Sequence, residues 1–326
     1  MKGLWPAVKL FCGVGILVAL VMRLGAGAFV DGFAAIGIGS VLAALGIGLL
    51  TTVFSAYRWC IVARGLGLRL PLADAVADCY RALFLNSVLP AGVLGDVHRA
   101  VGYGRQIGDV GRGVRVVALE RITGQVAVVV VGLGVLLAAR PTLLATAAVD
   151  LLPGWVGLAE LLAGVVAVGA LAVWAVRGPF AARIRAAVTT GIADARTGVF
   201  SRGTWPGLLL LSVATLAGYL ALFVVAARAA GSQAALGALL PLLVLGLLAM
   251  ALPLNVGGWG PREGVTAVAF GSVGFGATQG LTTAVVYGVL SLIACLPGVA
   301  VLLLGARVSR SSDSPARPAV LERSAG

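Results

Sequence analysis

The chain has 326 residues, 60% of them hydrophobic and only 11% Asp, Glu, Lys or Arg, with a mean hydropathy of +1.07. An ordinary soluble domain carries about 25% charged residues, so a soluble enzyme, a disordered chain and a small disulfide scaffold are excluded, leaving an all-α polytopic membrane protein. The net charge of +12 comes from 24 basic against 12 acidic residues. The basic residues sit between apolar runs, which fits the positive-inside bias and anionic lipid and gives no reason to expect nucleic acid.

The first apolar run, 8–24, follows Lys2 and Lys9 and precedes Ala26-Gly27-Ala28, which has the small-residue pattern of a signal-peptidase site. Because many more runs follow, the segment is expected to stay as a first helix. A second run covers 33–56 and leads into a basic stretch with Arg58, Arg64 and Arg69. From Leu72 the pattern turns amphipathic, with Asp74, Asp78 and Arg81 on one helical face. It becomes apolar at Leu83-Phe84-Leu85, is interrupted at Pro90 and continues through Gly92 and Gly95 to Asp96. Residues 72–96 therefore read as a re-entrant element entering from the cytoplasmic side.

Later runs are expected at 114–139, 155–176, 206–227, 235–252, 264–276 and 282–304, with a second re-entrant element near 253–276. Counting Lys and Arg near span ends puts both termini in the cytoplasm, with about eight transmembrane helices. Near 179–200, Phe180, Ile184, Val188, Ile192 and Val199 lie near one face and Arg183, Arg185 and Arg196 on others. That reads as an interfacial helix on the anionic inner leaflet or as a solvated connector. Residues 1–306 then form a single transmembrane domain and 307–326 a polar, disordered cytoplasmic tail.

An internal echo links the two interrupted segments. Leu89-Pro90-Ala91-Gly92-Val93-Leu94-Gly95 aligns with Leu252-Pro253-Leu254-Asn255-Val256-Gly257-Gly258, and each copy leads into charge: Asp96, His98 and Arg99, then Arg262 and Glu263. Proline removes a backbone donor and glycine permits a sharp reversal, so each helix is expected to break within the membrane. Freed N–H groups and helix N-termini offer partial positive charge to an anion, and Arg99 and Arg262 add full charges. Paired interruptions of this kind point to a transporter's binding site near the midplane.

Glu120-Arg121 lies inside an apolar run. Adjacent helical residues point about 100° apart, so each is expected to pair with another segment: Glu120 with Arg99 or Arg262, Arg121 with Asp96 or Glu263. The same residues could form a salt bridge that locks the bundle, serve the site, or do both. Cys12, Cys60, Cys79 and Cys295 are widely spaced and read as buried apolar residues, and His98 is the sole histidine. Neither a structural zinc site nor a His-based triad can be assembled. Asp96, Glu120 and Glu263 lack metal-site spacing, and Gly102-x-Gly104 lacks a strand–helix context, so no metal or cofactor is expected.

Tyr57-Arg58-Trp59, Asn86 through Leu89-Pro90, Gly95-Asp96 with Arg99, Glu120-Arg121, and Pro253 through Gly257-Gly258-x-Gly260-x-Arg262-Glu263 together resemble the lysylphosphatidylglycerol synthetase transmembrane, or flippase-like, family of prokaryotic membrane proteins. The resemblance spans roughly residues 7–305. It implies a helical bundle with two re-entrant elements in the cell membrane, and a role in moving anionic or modified lipids between leaflets. Some relatives are instead linked to lipid-carried sugars in envelope assembly. Full synthetases carry a soluble aminoacyl-transfer domain after the membrane part, so this chain is not expected to make lysyl-lipid by itself.

The expected function is translocation of an anionic phospholipid or polyprenyl-phosphate-linked lipid. Arg99 and Arg262 would contact phosphate, with Asp96, Glu120 and Glu263 as countercharges beside Arg121. Asn86, Pro90, Gly95, Pro253, Gly257 and Gly258 would shape the floor of the site. The expected ligand is an anionic lipid or lipid-linked saccharide. The alternatives are a membrane enzyme acting on a lipid-linked substrate, with Asp96 or Glu263 as base, and a non-catalytic partner of an envelope-synthesis enzyme, a glycosyltransferase or a separate aminoacyl transferase.

Overall fold

A computed structural model of the chain describes residues 27–89, 92–139, 181–250 and 259–303. The expected spans 8–24 and 155–176, the site residues Pro90, Pro253, Gly257 and Gly258, and the tail 307–326 lie outside the described residues. Among those residues every helix is α and no β-strand forms.

The helices are α1 (Gly27–Ala34), α2 (Ile38–Gly65), α3 (Leu72–Val88), α4 (Leu94–Gln106), α5 (Val110–Ala139), α6 (Ala181–Gly198), α7 (Trp205–Ala229), α8 (Leu236–Met250), α9 (Pro261–Ser272) and α10 (Ala277–Cys295). Among the described residues four stretches are long and apolar enough to cross a membrane: α2, α5, α7, and α10 with its continuation to Leu303. The chain is therefore a multi-pass membrane protein.

The order of elements repeats. A long apolar helix, two short helices packed on each other and a second long helix occur as α2, α3–α4, α5 and again as α7, α8–α9, α10. Helix stops repeat with them. α2 and α7 end at left-handed Gly67 and Gly231, and α4 and α9 at Gly108 and Gly274. At each stop the glycine and the residue after it donate backwards into the last turn, as in Leu68 N to Ala63 O and Ser232 N to Ala227 O, both 2.9 Å. Positive φ at all four positions is what glycine permits without steric cost.

Each half has its own core. Trp59, Cys79, Ala100, Tyr103 and Val116 pack in the first, and Phe223, Leu243, Phe270, Tyr287 and Leu290 in the second. α2 and α7 join the halves, with α7 packed most extensively on α2. Their approach is tight enough that a Cβ on Gly218 would lie 2.3 Å from Thr51 Cγ2. Within the α3–α4 pair, a Cβ on Gly95 would lie 2.1 Å from the Ala82 carbonyl, so the absence of a side chain there lets the two helices touch through backbone.

Several boundaries differ from the sequence expectation: the run at 33–56 is interrupted after Ala34 and resumes at Ile38, the last run starts at Ala277, and two further differences have direct physical reasons. The second run continues through Arg58 to Gly65, because Trp59, Cys60, Val62 and Ala63 resume burial after the arginine. The helix expected at 264–276 begins at Pro261, whose fixed φ suits a first helical position, and ends before Gly274.

Candidate functional site

The first charged cluster centres on Glu120 of α5, which is 1% exposed. Its Oε1 accepts from Arg58 Nε of α2 at 3.0 Å and also from Arg58 Nη2, and its Oε2 accepts from Arg99 Nη2 of α4 at 2.6 Å. Gly124, one turn further along α5, provides the space for Arg58: a Cβ there would lie 2.7 Å from its guanidinium. Arg58 Nη1 also donates to Ser212 Oγ of α7 at 3.3 Å, tying this cluster to the second half of the bundle.

Arg99 is fully engaged. Besides Glu120 it donates from Nε to Asp96 Oδ1 at 3.0 Å, lies 3.4 Å from Cys79 Sγ, and stacks with its guanidinium 4.8 Å from the Trp59 ring centroid. Asp96, in the first turn of α4, also receives Arg121 Nη2 at 2.7 Å and Asn86 Nδ2 at 2.9 Å. The Asn86 carbonyl oxygen accepts the Gly95 N–H at 2.8 Å, so one side chain at the end of α3 both caps α4 and holds its carboxylate.

The second cluster lies at the start of α9. Glu263 reaches back to accept the Gly260 N–H at 2.7 Å through Oε2, and its Oε1 accepts from Arg262 Nε at 3.0 Å and from Nη2. Adjacent residues pair here because the capping carboxylate is folded back over the helix end, beside the Arg262 guanidinium. That guanidinium stacks between Trp259 and Tyr287, 5.2 and 5.1 Å from their ring centroids. A Cβ on Gly288 would lie 2.5 Å from Arg262 Nη2, so Gly288 makes room for Arg262 as Gly124 does for Arg58.

Between the clusters lies a cavity of about 330 Å³. Its wall draws on both halves: Thr51 and Thr52 of α2, Ser87 of α3, Arg121 and Gln125 of α5, Tyr219 of α7, Arg262 of α9 and Ser291 of α10, with Leu83, Leu216, Leu222 and Leu247 among its apolar members. Arg121 is 46% exposed while still paired with Asp96. Of the residues singled out from sequence, Arg121 and Arg262 are on the wall. Asn86, Gly95, Asp96, Arg99 and Glu120 gather behind Arg121, and Glu263 backs Arg262. The Glu120 pairing falls on Arg99, not Arg262, and Arg121 pairs with Asp96, not Glu263.

Sequence pattern alone does not single out Arg58, Trp59, Tyr287, Gly124 or Gly288 as site residues. The available signal for Arg58 is that apolar residues resume directly after it, which puts the arginine inside a helix and requires a buried counter-charge. Among the described residues no three His, Cys, Asp or Glu side chains gather as metal ligands.

No curated protein matches the chain. A profile of the lysylphosphatidylglycerol synthase transmembrane region does match, over residues 7–298, and a match across that much of the chain places it in this family of membrane proteins of lipid metabolism.

Proposed function

We propose that the protein moves an anionic lipid, a phospholipid or a polyprenyl-phosphate-linked lipid, between the leaflets of a prokaryotic cell membrane. The observation that carries this reading is the cavity wall: one arginine from each half of the bundle, Arg121 and Arg262, meets a shared space whose remaining lining is hydroxyl, amide and apolar. Guanidinium groups grip phosphate oxygens, and the apolar wall suits the start of an acyl or prenyl chain. Arg99, Asp96, Glu120 and Glu263 act behind the wall by fixing the two arginines. The oxygens of Asp96 and Glu263 already accept hydrogen bonds, which favours a binding and transfer role over a general base in a membrane enzyme.

The topology we infer has both termini cytoplasmic and about eight membrane-inserted elements, the two helix pairs among them. α2 then runs outside to inside and α7 the reverse. The α3–α4 pair enters from the cytoplasmic side and α8–α9 from outside, so the halves are inverted copies facing one cavity, an arrangement suited to alternating access. α6 lies along the inner leaflet.

The test is leaflet exchange of a headgroup-labelled anionic phospholipid in proteoliposomes. Exchange should exceed that of protein-free vesicles and fall to that level in Arg121→Ala and Arg262→Ala proteins whose thermal unfolding matches wild type. Exchange by wild type equal to empty vesicles would overturn the reading.

A further inference from the structure

The halves of the bundle close on the cavity through a contact that occurs twice, and its two copies differ. In one, the continuation of α10 beyond Cys295 packs on α3; in the other, α5 packs on α8. Tyr80 and Phe84 are the ninth and thirteenth residues of α3, as Val244 and Leu248 are of α8. Gly298 and Gly132, which face them, each lie 24 residues past the left-handed glycine that closes the preceding short helix, Gly274 or Gly108. At the first seam backbone meets backbone: a Cβ on buried Gly298 would lie 2.3 Å from the Tyr80 carbonyl oxygen and 2.9 Å from Phe84 Cβ. At the second the nearest atoms are side-chain ends, Val244 Cγ1 and Leu248 Cδ2, each 3.3 Å from a Cβ on Gly132.

Both seams border the cavity. Leu83, Ser87, Ala294 and Cys295 line it beside the first, and Val128 and Leu247 beside the second. Among the described residues no ion pair crosses either seam, so both can part without leaving a charge uncompensated. α10 is also interrupted here. Pro297 has no N–H to donate to the Ile293 carbonyl, which is met instead by Leu296 N at 3.1 Å, and helix resumes at Pro297. The interruption falls between the cavity wall at Cys295 and the seam contact at Gly298, a place where a proline lets a helix bend. α5 runs unbroken through the matching stretch.

We infer, resting on the translocator reading, that the two seams are the gates of the cavity, opened in turn, and that the interruption at Pro297 is the hinge of the first. In the proposed topology the α3–α10 seam faces the cytoplasmic leaflet and the α5–α8 seam the outer one. A repeated contact shut to backbone distance in one half and spaced by side chains in the other is what alternating access between inverted halves requires. The conformation described here is the one with the inner gate shut.

The test is crosslinking during leaflet exchange of headgroup-labelled phosphatidylglycerol in proteoliposomes. With Cys12, Cys60 and Cys79 replaced by alanine, Ser87→Cys places a thiol beside Cys295 at the first seam, where Cys295 Sγ lies 3.7 Å from Ser87 Oγ. With Cys295 replaced as well, Gly132→Cys and Val244→Cys form a pair within disulfide reach at the second. Oxidation of either pair should bring exchange down to that of protein-free vesicles, and reduction should return it to its rate before oxidation. Pro297→Ala restores the missing donor and should slow exchange about fivefold, what one regained hydrogen bond is worth, in protein at least as heat-stable as wild type. Exchange that continues unchanged through a crosslinked seam overturns the gate assignment while the translocator reading stands. A pair that does not close under oxidant overturns the contact it was drawn from, and wild-type exchange in folded Pro297→Ala overturns the hinge. Wild type exchanging no faster than empty vesicles takes the translocator reading down as well.

Discussion

Arg99 Nη2 lies 2.6 Å from Glu120 Oε2, and neither side chain is more than 3% exposed. The pair joins α4 to α5, and because Arg58 shares the same carboxylate it also draws in α2. Removing one partner of a buried ion pair leaves the other charge without compensation, which costs about 3–5 kcal/mol. Glu120→Gln leaves Arg58 without its countercharge and Arg99 with only the Asp96 carboxylate it shares with Arg121, and should lower the unfolding temperature in detergent by more than any exposed substitution. Adding Arg99→Met should recover part of the loss, because the second change removes a charge that the first left under-compensated. Additive losses in the double variant would show that the two side chains act independently.

The α3–α4 contact depends on Gly95. A methyl group there would meet the Ala82 carbonyl at 2.1 Å, and backbone atoms cannot swing aside as a side-chain end can. Gly95→Ala should destabilise the protein by about 1–3 kcal/mol through overpacking. Gly102, on the same helix with nothing within 4 Å of its Cβ position, should accept alanine without loss. Thermal unfolding of both variants checks the contrast.

Much of this arrangement is legible in the sequence, and what is hidden has identifiable causes. The four long spans stand out because lipid demands uninterrupted apolar helices, and the helix ends at Val88 and Leu94 follow from the proline and glycines between them. The sequence narrows the partners of Glu120 to two arginines without choosing between them, because the choice depends on how α4 and α9 dock on α5. Arg58 reads as part of a basic stretch, although the apolar residues after it keep it inside α2. The cavity wall is not legible in the sequence. Which of Arg99 and Arg121 faces the space is decided by helix rotation, and Trp59 and Cys79 turn Arg99 inward.

The inverted arrangement proposed for the two halves makes a labelling prediction. Arg105, at the end of α4, and Gln233, before α8, are both exposed and lie near the bases of the two helix pairs. In a background with Cys12, Cys60, Cys79 and Cys295 replaced by alanine, Gln233→Cys in intact cells should react with a membrane-impermeant maleimide. Arg105→Cys should react only in inside-out vesicles. Labelling of both from the same side would rule out the inverted topology.

Not every ion pair should matter equally. Arg115 Nε lies 2.6 Å from Asp194 Oδ2 and links α5 to α6, but the side chains are 32% and 22% exposed. Partly solvated pairs contribute about 0–1 kcal/mol. Asp194→Asn should therefore shift the unfolding midpoint by far less than Glu120→Gln under the same conditions, and a comparable shift would mean that α6 docking contributes more than this contact explains.

Gly288 separates the conformation of Arg262 from its charge. A Cβ at this position would lie 2.5 Å from Arg262 Nη2 and 2.8 Å from the Trp259 ring, so alanine must displace the guanidinium from between Trp259 and Tyr287. The arginine keeps its charge but loses a stacked placement worth about 0.5–2 kcal/mol. Gly288→Ala should reduce exchange of a labelled anionic lipid by roughly three- to tenfold. Gly237→Ala, on α8 with open space at its Cβ, should leave exchange unchanged. If lipid handling needs only a positive charge near the second cluster, both variants will exchange at the wild-type rate. A loss confined to Gly288→Ala, in protein that unfolds at the wild-type temperature, would mean that the site requires the guanidinium plane held where the two aromatic rings place it.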